Sequence, residues 1–378
     1  MKISFFGSSL VSAYWNGAAT YYRGLVRALS ERGHRITFYE PDAYDRQAHR
    51  DIEDPDWAAV VVYEATERGV LGALARARSS NVVIKCSGVG IFDALLEKNV
   101  LDLATPSRSI GFCDVDAPAT LERVLGDATD PFRALIPRYD FVFTYGGGES
   151  VCSRYRSLGA RRCVPVYNAL DPATHHASQP DERFAGTLGF LGNRLPDREA
   201  RFEEFFLGPA RALPNAQFVL GGSGWHDRSL LGNVRCVGHV YTHEHNAFNC
   251  TPLAVLNINR NSMADYGYSP ATRVFEAAGA GACIITDAFE GVECFFEPNV
   301  EILVARDGEE VRSHLETLTE ARARLIGQRA LERVLREHTY ARRAEELEAL
   351  LFEHHGPMDT IRDGRVRSSA SASAEGAS

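Results

Sequence analysis

The chain has 378 residues, long for one domain and suited to two, and its 45% hydrophobic content supplies material for two cores. A net charge of −9 argues against nucleic acid or an anionic membrane as the main partner, since both select basic surface, but it leaves room for a local basic pocket that takes a phosphate. The eight cysteines contain no CxxC pair and read as buried, reduced thiols. No apolar run approaches the ~20 residues a membrane crossing needs, so a cytoplasmic protein without a transmembrane segment is expected.

Met1–Gly7 reads as a first strand rather than a signal peptide, with Ile3–Phe6 as its apolar part. A loop carrying Ser8, Ser9, Asn16 and Gly17 follows. A helix is then predicted from Ala18 to Arg32, its apolar residues Ala18, Tyr22, Leu25, Val26 and Leu29 on one face and Gly33 at its end. Ile36–Tyr39 completes a βαβ unit. Further strands are predicted at Ala58–Tyr63, Val82–Cys86, Ser109–Phe112 and Phe141–Thr144. After the Pro- and His-containing stretch Asn168–Asp181 a second series runs through Thr187–Leu191, Gln217–Leu220, Val234–Val237, Ala254–Ile258 and Ala282–Thr286, with helices at Asp197–Leu213 and Pro270–Ala280. Short apolar strands alternating with helices define an α/β chain with mostly parallel sheets covered on both faces. Glu309–Phe352 is charged and helical. The Ser/Ala-rich end beyond Gly356 lacks the apolar residues to fold.

In open α/β sheets ligands bind beyond the carboxyl ends of the strands, so residues just after strands are the candidates. Ser8, Asn16 and Gly17 follow the first strand; they either contact a ligand or form an ordinary turn. The GxGxxG spacing of a dinucleotide site is absent there, and Gly88-Val89-Gly90 has Asp93 where the third glycine would stand. Asp114 and Asp116 could supply a general base or hold a metal, or Asp116 could cap the helix that begins near Pro118. Gly146 and Gly147 allow backbone approach to a ligand or to an opposing domain. Gly224 and Trp225 could cover a ligand, unless the indole is core. Ser269-Pro270 reads as a helix cap and first turn whose free N–H groups would seat a diphosphate, followed by Arg273 to neutralise it and Glu276 to accept ribose hydroxyls. An Arg–Glu surface pair is the plainer reading of the last two. His239, His243 and His245 have no ligand spacing beyond the adjacent Glu244 and read as loop histidines rather than a metal site.

Several segments in this order resemble GT-B glycosyltransferases, and more narrowly the CgeB-like, spore-maturation-type family. They are Gly189-Phe190-Leu191-Gly192-Asn193 with Asp197-Arg198-Glu199, Gly222-Ser223-Gly224-Trp225, Gly238-His239-Val240, Leu256-Asn257-Ile258-Asn259-Arg260, Ser269 through Ala277, Thr286-Asp287 with Glu290-Gly291, and Phe295-Phe296-Glu297-Pro298. Asp114 through Leu121 and Thr144 through Gly148 extend the likeness to the first half. The resemblance implies two Rossmann-like domains facing across a cleft: 1–168 on the acceptor side, a linker over 169–185, and 186–335 holding a nucleotide-sugar. A helix over 336–355 would brace the first domain, and 356–378 would be a disordered tail.

It further implies that Glu276 binds ribose, that Arg273 and the Ser269 helix start face the diphosphate, and that the backbone of Gly238, His239 and Val240 meets the base. Asn193, Arg198, Gly224, Trp225 and Arg260 complete the expected donor contacts. Asp116, then Asp114, is the expected base if the reaction inverts; neither is required if it retains. Retaining relatives carry a second Glu eight positions before the first, where this chain has Tyr268, so stereochemistry and sugar do not carry over. No metal or other cofactor is expected. The donor's base could be UDP-, TDP- or GDP-linked, and the acceptor a protein, natural product, lipid or glycan. A nucleotide-sugar epimerase on the same fold, a non-catalytic protein with a relic donor pocket, and an NAD-dependent oxidoreductase are the competing readings.

Overall fold

The computed structural model describes residues 1–14 and 16–355; the tail expected over 356–378 lies outside them. The first sheet contains β1 (Lys2–Phe6), β2 (Arg35–Asp42), β3 (Ala59–Glu64), β4 (Val82–Cys86), β5 (Ser109–Asp114), β6 (Phe141–Thr144) and β7 (Cys163–Pro165). Their order is β3-β2-β1-β4-β5-β6-β7, and every pairing is parallel. The second contains β8 (Leu188–Leu191), β9 (Phe218–Gly221), β10 (Val234–Gly238), β11 (Ala254–Asn257), β12 (Ile284–Asp287) and β13 (Leu303–Ala305), also parallel, in the order β10-β9-β8-β11-β12-β13. Both are doubly wound sheets of the same order, the first with one strand added. The strand order reverses between β1 and β4 and between β8 and β11, which opens a crevice at each carboxyl edge.

Parallel strands covered on both faces must be apolar throughout. β4 is buried along its whole length, with Val83 packed into one core layer and Val82 and Ile84 into the other. The second sheet is likewise sandwiched between two layers, one around Phe202, Phe206 and Trp225 and the other around Val274, Phe275 and Phe295.

The differences from the sequence reading have local causes. β7 and β13 are three residues each, too short to show a period. β2 continues through Pro41 because β1 pairs no further than Tyr39, so the missing proline N–H breaks no bond on that side. The helix expected over Asp197–Leu213 is broken into a 3-10 turn, a short α-helix, a π turn at Glu203–Leu207 and an α-helix at Gly208–Ala212. Pro209 has no N–H to continue an i→i−4 ladder there.

The chain crosses between the domains twice, at adjacent points. The Leu170 N–H donates to the His338 carbonyl (2.8 Å), and the Tyr340 N–H donates to the Leu170 carbonyl (3.0 Å). Beside this double crossing His338 is ringed by Phe275, Phe295 and Phe296, and burial pushes its pKa down to about 4. Helix Tyr340–His355 then returns to the first domain and packs on helix Ala19–Glu31. Glu348 joins the two through Arg32 and through His34 (3.0 Å). Gly24 is the point of closest approach: a Cβ there would lie 2.1 Å from Tyr340 Cδ2. Gly24→Ala is therefore expected to push Tyr340 out of its seat and cost about 1–3 kcal/mol, seen as a lowered melting temperature of the full chain.

Candidate active site

The two carboxyl edges face each other. On the second domain, the loop after β11 is fixed by the fully buried carboxylate of Asp287 at the end of β12. Asp287 accepts from the Asn259 N–H (3.0 Å) and from Asn259 Nδ2 (3.1 Å), and Arg201 pairs with it. This sets the direction of the next residue, Arg260, whose Nε donates to Asp197 (2.6 Å). Arg198 lies over the Phe190 ring at 5.4 Å and donates to the Asn193 carbonyl (2.6 Å). Burial, with the neighbouring Arg273 and Arg260 charges, pushes the Arg198 pKa down to about 10. Arg198 thus lies near both Arg260 and Arg273 at the carboxyl edge of the second sheet, and Arg273 Nη1 is buried without a hydrogen-bond partner. Such a cluster is a seat for a polyanion.

Helix Thr272–Gly279 presents Arg273 and Glu276 to this crevice and buries Val274, Phe275, Ala277 and Ala278. Its start corrects the sequence reading. The cap position is Ala271, which has no side-chain acceptor, rather than Ser269. Ser269 instead lies at the seam with the first domain, where a Cβ on Gly146 would come within 2.9 Å of its hydroxyl. Glu276 faces two histidines, with His175 Nε2 at 3.8 Å and His245 close by. Burial pushes the His245 pKa down, against the pull of the Glu276 charge.

On the first domain Asp114 and Asp116 separate. Asp114 is buried and held by several donors: Oδ1 is approached by Ser87 Oγ (2.8 Å), Thr120 Oγ1 (3.0 Å) and the Asp116 N–H (3.1 Å), and Oδ2 accepts from the Tyr155 hydroxyl. A carboxylate engaged in this way holds the loop and is a poorer candidate base than Asp116. Asp116 occupies the cap position of helix Ala117–Gly126 without a capping hydrogen bond. Burial raises its pKa, and the Arg260 charge across the cleft pulls the other way. Tyr145 lies within reach of both charges.

Gly146 and Gly147 form the seam between domains rather than a ligand cradle. The Gly147 N–H donates to the Tyr268 carbonyl (2.9 Å), and Gly147 sits at φ +82°, a conformation glycine adopts without cost. Ser8 and Asn16 are turned inward: Ser8 Oγ donates to Asn16 Oδ1 (2.8 Å), and Asn16 Nδ2 donates to the carbonyls of Ser9 (2.8 Å) and Ser12 (2.9 Å). They shape the loop, and Gly17 beside them borders open space.

Trp225 is a core residue and not a ligand cover. It is 3% exposed, packs on Phe202 and donates from Nε1 to the Gly192 carbonyl (2.7 Å), which braces the loop after β8. Gly224 (φ +86°) lies beside Arg194 in the loop that leads into it. Asn193 accepts from the Ser223 N–H (2.9 Å), and the exposed His239 contacts Ser223 Oγ (3.3 Å). The Val240 side chain is buried against the core layer of Phe248, so only its backbone is open to a ligand. Sequence reasoning missed His175, Asp197, Arg201 and Tyr145, whose partners are distant in the chain. Among the described residues no helix is long and apolar enough to cross a membrane.

The two-domain arrangement is the GT-B fold. Residues 198–349 match a family model described as glycosyl transferase-like. No curated protein sequence matches the chain. Solved structures do. Sucrose-phosphate synthase from Thermosynechococcus elongatus superposes with a TM-score of 0.67 at 13% identity, over 93% of this chain and 98% of that one. HepE of Anabaena in complex with UDP superposes with a TM-score of 0.65 at 14% identity, over 93% and 100%. An alpha-glucosyltransferase in complex with UDP-glucose and DNA containing an abasic site gives 0.67 at 13% identity, over 93% and 98%.

The two aspartates separate in experiment as they do in space. Asp114→Asn is expected to lower stability by about 1–3 kcal/mol, because an amide cannot accept from four donors. Asp116→Asn should leave the melting temperature nearly unchanged.

Proposed function

We propose that this chain is a glycosyltransferase that moves a sugar from a nucleoside-diphosphate sugar, held by the second domain, to an acceptor entering from the first. The observation that carries this reading is the nearness of Arg198 to both Arg260 and Arg273 at the carboxyl edge of the second sheet, with Glu276 one turn beyond Arg273 and Asp116 near Arg260 across the cleft. The glycosyl transferase-like match and the nucleotide-bound neighbours support it.

In this reading the guanidinium groups stabilise charge developing on the departing diphosphate, the work a metal ion does elsewhere, so the transfer is proposed to be metal-independent. Glu276 takes the ribose hydroxyls. If the anomeric centre inverts, Asp116 accepts the acceptor's proton; if it is retained, the departing phosphate takes it. Tyr268 adds no sugar-binding carboxylate. Its N–H and carbonyl are engaged in the seam with Glu290 and Gly147.

The narrower CgeB-like kinship and a cytoplasmic location belong to the same proposal. They rest on the motif order and on eight unpaired cysteines, five of them buried. UDP-sugars stand first among donors, since neighbours are described with UDP and UDP-glucose. The net charge of −9 directs the acceptor search to proteins, natural products, lipids and glycans before DNA.

The test is release of nucleoside diphosphate from a panel of UDP-, TDP- and GDP-sugars, with and without candidate acceptors. One donor is expected to turn over, and Glu276→Ala should weaken its binding about tenfold or more, roughly 1.4 kcal/mol. Unchanged donor affinity in that variant removes the ribose assignment. Rearrangement of the sugar with the nucleotide still attached would make the chain an epimerase instead. For an inverting reaction, the raised Asp116 pKa places the acid limb of the pH–rate profile above the ordinary aspartate range.

A further inference from the structure

Where the linker meets the second domain, three ligand-type side chains face one another. One atom from each of His175, His245 and Glu276 lies within 4.8 Å of the other two. The elements that carry them are fastened together. Asn246, beside His245, accepts from the His176 N–H (3.2 Å) and donates to the Thr174 carbonyl (3.0 Å), clamping the linker on both sides of His175. The His175 N–H donates to the Asp171 carbonyl (3.0 Å). Helix Thr272–Gly279 packs so closely that a Cβ on Gly279 would come within 2.9 Å of the His175 carbonyl.

The hydrogen bonds also bear on the His175 tautomer. The Thr174 hydroxyl lies within hydrogen-bond distance of both the Asp171 carbonyl (3.1 Å) and His175 Nδ1 (3.0 Å). When its single proton goes to the carbonyl, Nδ1 carries the ring proton and the Nε2 lone pair is free, the tautomer that a metal requires. Nε2 is buried, has no hydrogen-bond partner and lies 3.8 Å from Glu276 Oε1, in a side chain only 5% exposed. Two electron-pair donors aimed at one space call for a cation between them. His245 brings a third ligand-type atom to the same space. A second-shell partner such as Thr174 beside His175 Nδ1 is the usual support of a metal-binding histidine.

We propose that His175, His245 and Glu276 form a binding site for a divalent transition-metal ion of the Zn²⁺ class, with water as a fourth ligand. Two imidazoles and one carboxylate suit such an ion. The Arg273 guanidinium lies close enough to act on both His245 and Glu276. That charge opposes any dication, so the ion must be one that gains from imidazole nitrogen, as Zn²⁺ does and the oxygen-seeking Mg²⁺ does not. The ion would take the Glu276 carboxylate that the donor's ribose needs, so metal and donor should compete. That consequence, unlike the site itself, rests on the glycosyltransferase reading above.

The experiment strips the full chain with a chelator, then titrates Zn²⁺ against a chromophoric competitor. One equivalent is expected to bind, with Mg²⁺ unable to displace it. Glu276→Gln and the half-buried His245→Gln should each weaken binding at least about 100-fold, beyond the 10–100-fold typical of second-shell changes. The exposed neighbour variant His243→Ala should bind as the wild type does, and melting curves confirm that each variant is folded. No stoichiometric Zn²⁺ binding, or binding that survives both substitutions, overturns the site. Co²⁺ absorption, which separates nitrogen and oxygen ligation from thiolate ligation, must show no thiolate band; such a band also overturns it. At buffered free Zn²⁺, a raised apparent Kd for UDP supports the competition. Zn²⁺ binding that leaves the UDP Kd unchanged overturns the ribose assignment while the metal site stands.

Discussion

Three guanidinium groups, those of Arg198, Arg260 and Arg273, lie near one another at the carboxyl edge of the second sheet, among the carboxylates of Asp116, Asp197, Glu276 and Asp287. Asp197 pairs with Arg260, and Asp287 is committed to Arg201 and Asn259. Arg273 has Glu276 three residues on but leaves Nη1 without a partner, and burial, then the neighbouring Arg273 and Arg260, lowers the Arg198 pKa to about 10. Holding like charges together in a partly desolvated place opposes folding, and it persists only because the surrounding structure over-determines it. The Asp287–Asn259 clamp fixes one arginine, the Phe190 ring supports another, and the apolar face of helix Thr272–Gly279 anchors the third. An anion relieves the strain, which is why the crevice reads as a diphosphate seat.

The opposing face is built to move as a unit. Among the described residues the backbone crosses between domains at Leu170 and Thr339, side by side, and the last helix is fastened to the first domain through Tyr340 and Glu348. Contact across the cleft is made by backbone at Gly146, Gly147 and Tyr268, by charge between Asp116 and Arg260, and by side chains: Tyr266 packs on the first-domain core with Arg154 over its ring (5.0 Å), and Tyr167 meets Phe295 edge-on (4.9 Å). Opening the cleft at this seam would have to part those rings.

Most of the fold was legible because buried parallel strands are apolar throughout, and β4 and β6 were bounded to the residue. Three-residue strands have no readable period, so β7 and β13 were not. At the site, the fold brings Arg198 near Arg260 and Arg273, puts Glu276 one turn beyond Arg273 and sets Asp116 near Arg260. What failed was the assignment of roles that depend on three-dimensional partners. Asp114 and Asp116 look equivalent in sequence, yet the first is held by Ser87, Thr120 and Tyr155 while the second faces the Arg260 charge. Trp225 could have covered a ligand or filled a core, and only the Gly192 carbonyl decides it. His175 gave no signal, because its meaning comes from His245 and Glu276, which reach it only through folding.

The central claim, that this crevice binds the diphosphate of a nucleotide-sugar, is tested most directly by thermal stabilisation of the full chain against UDP, TDP, GDP, the matching nucleosides and NAD. A ligand that binds only the native state stabilises it by about 2.7 kcal/mol at a hundred times its Kd. The account predicts that one nucleoside diphosphate raises the melting temperature and its nucleoside does so far less. A rise with NAD alone, or none with any diphosphate, would contradict it.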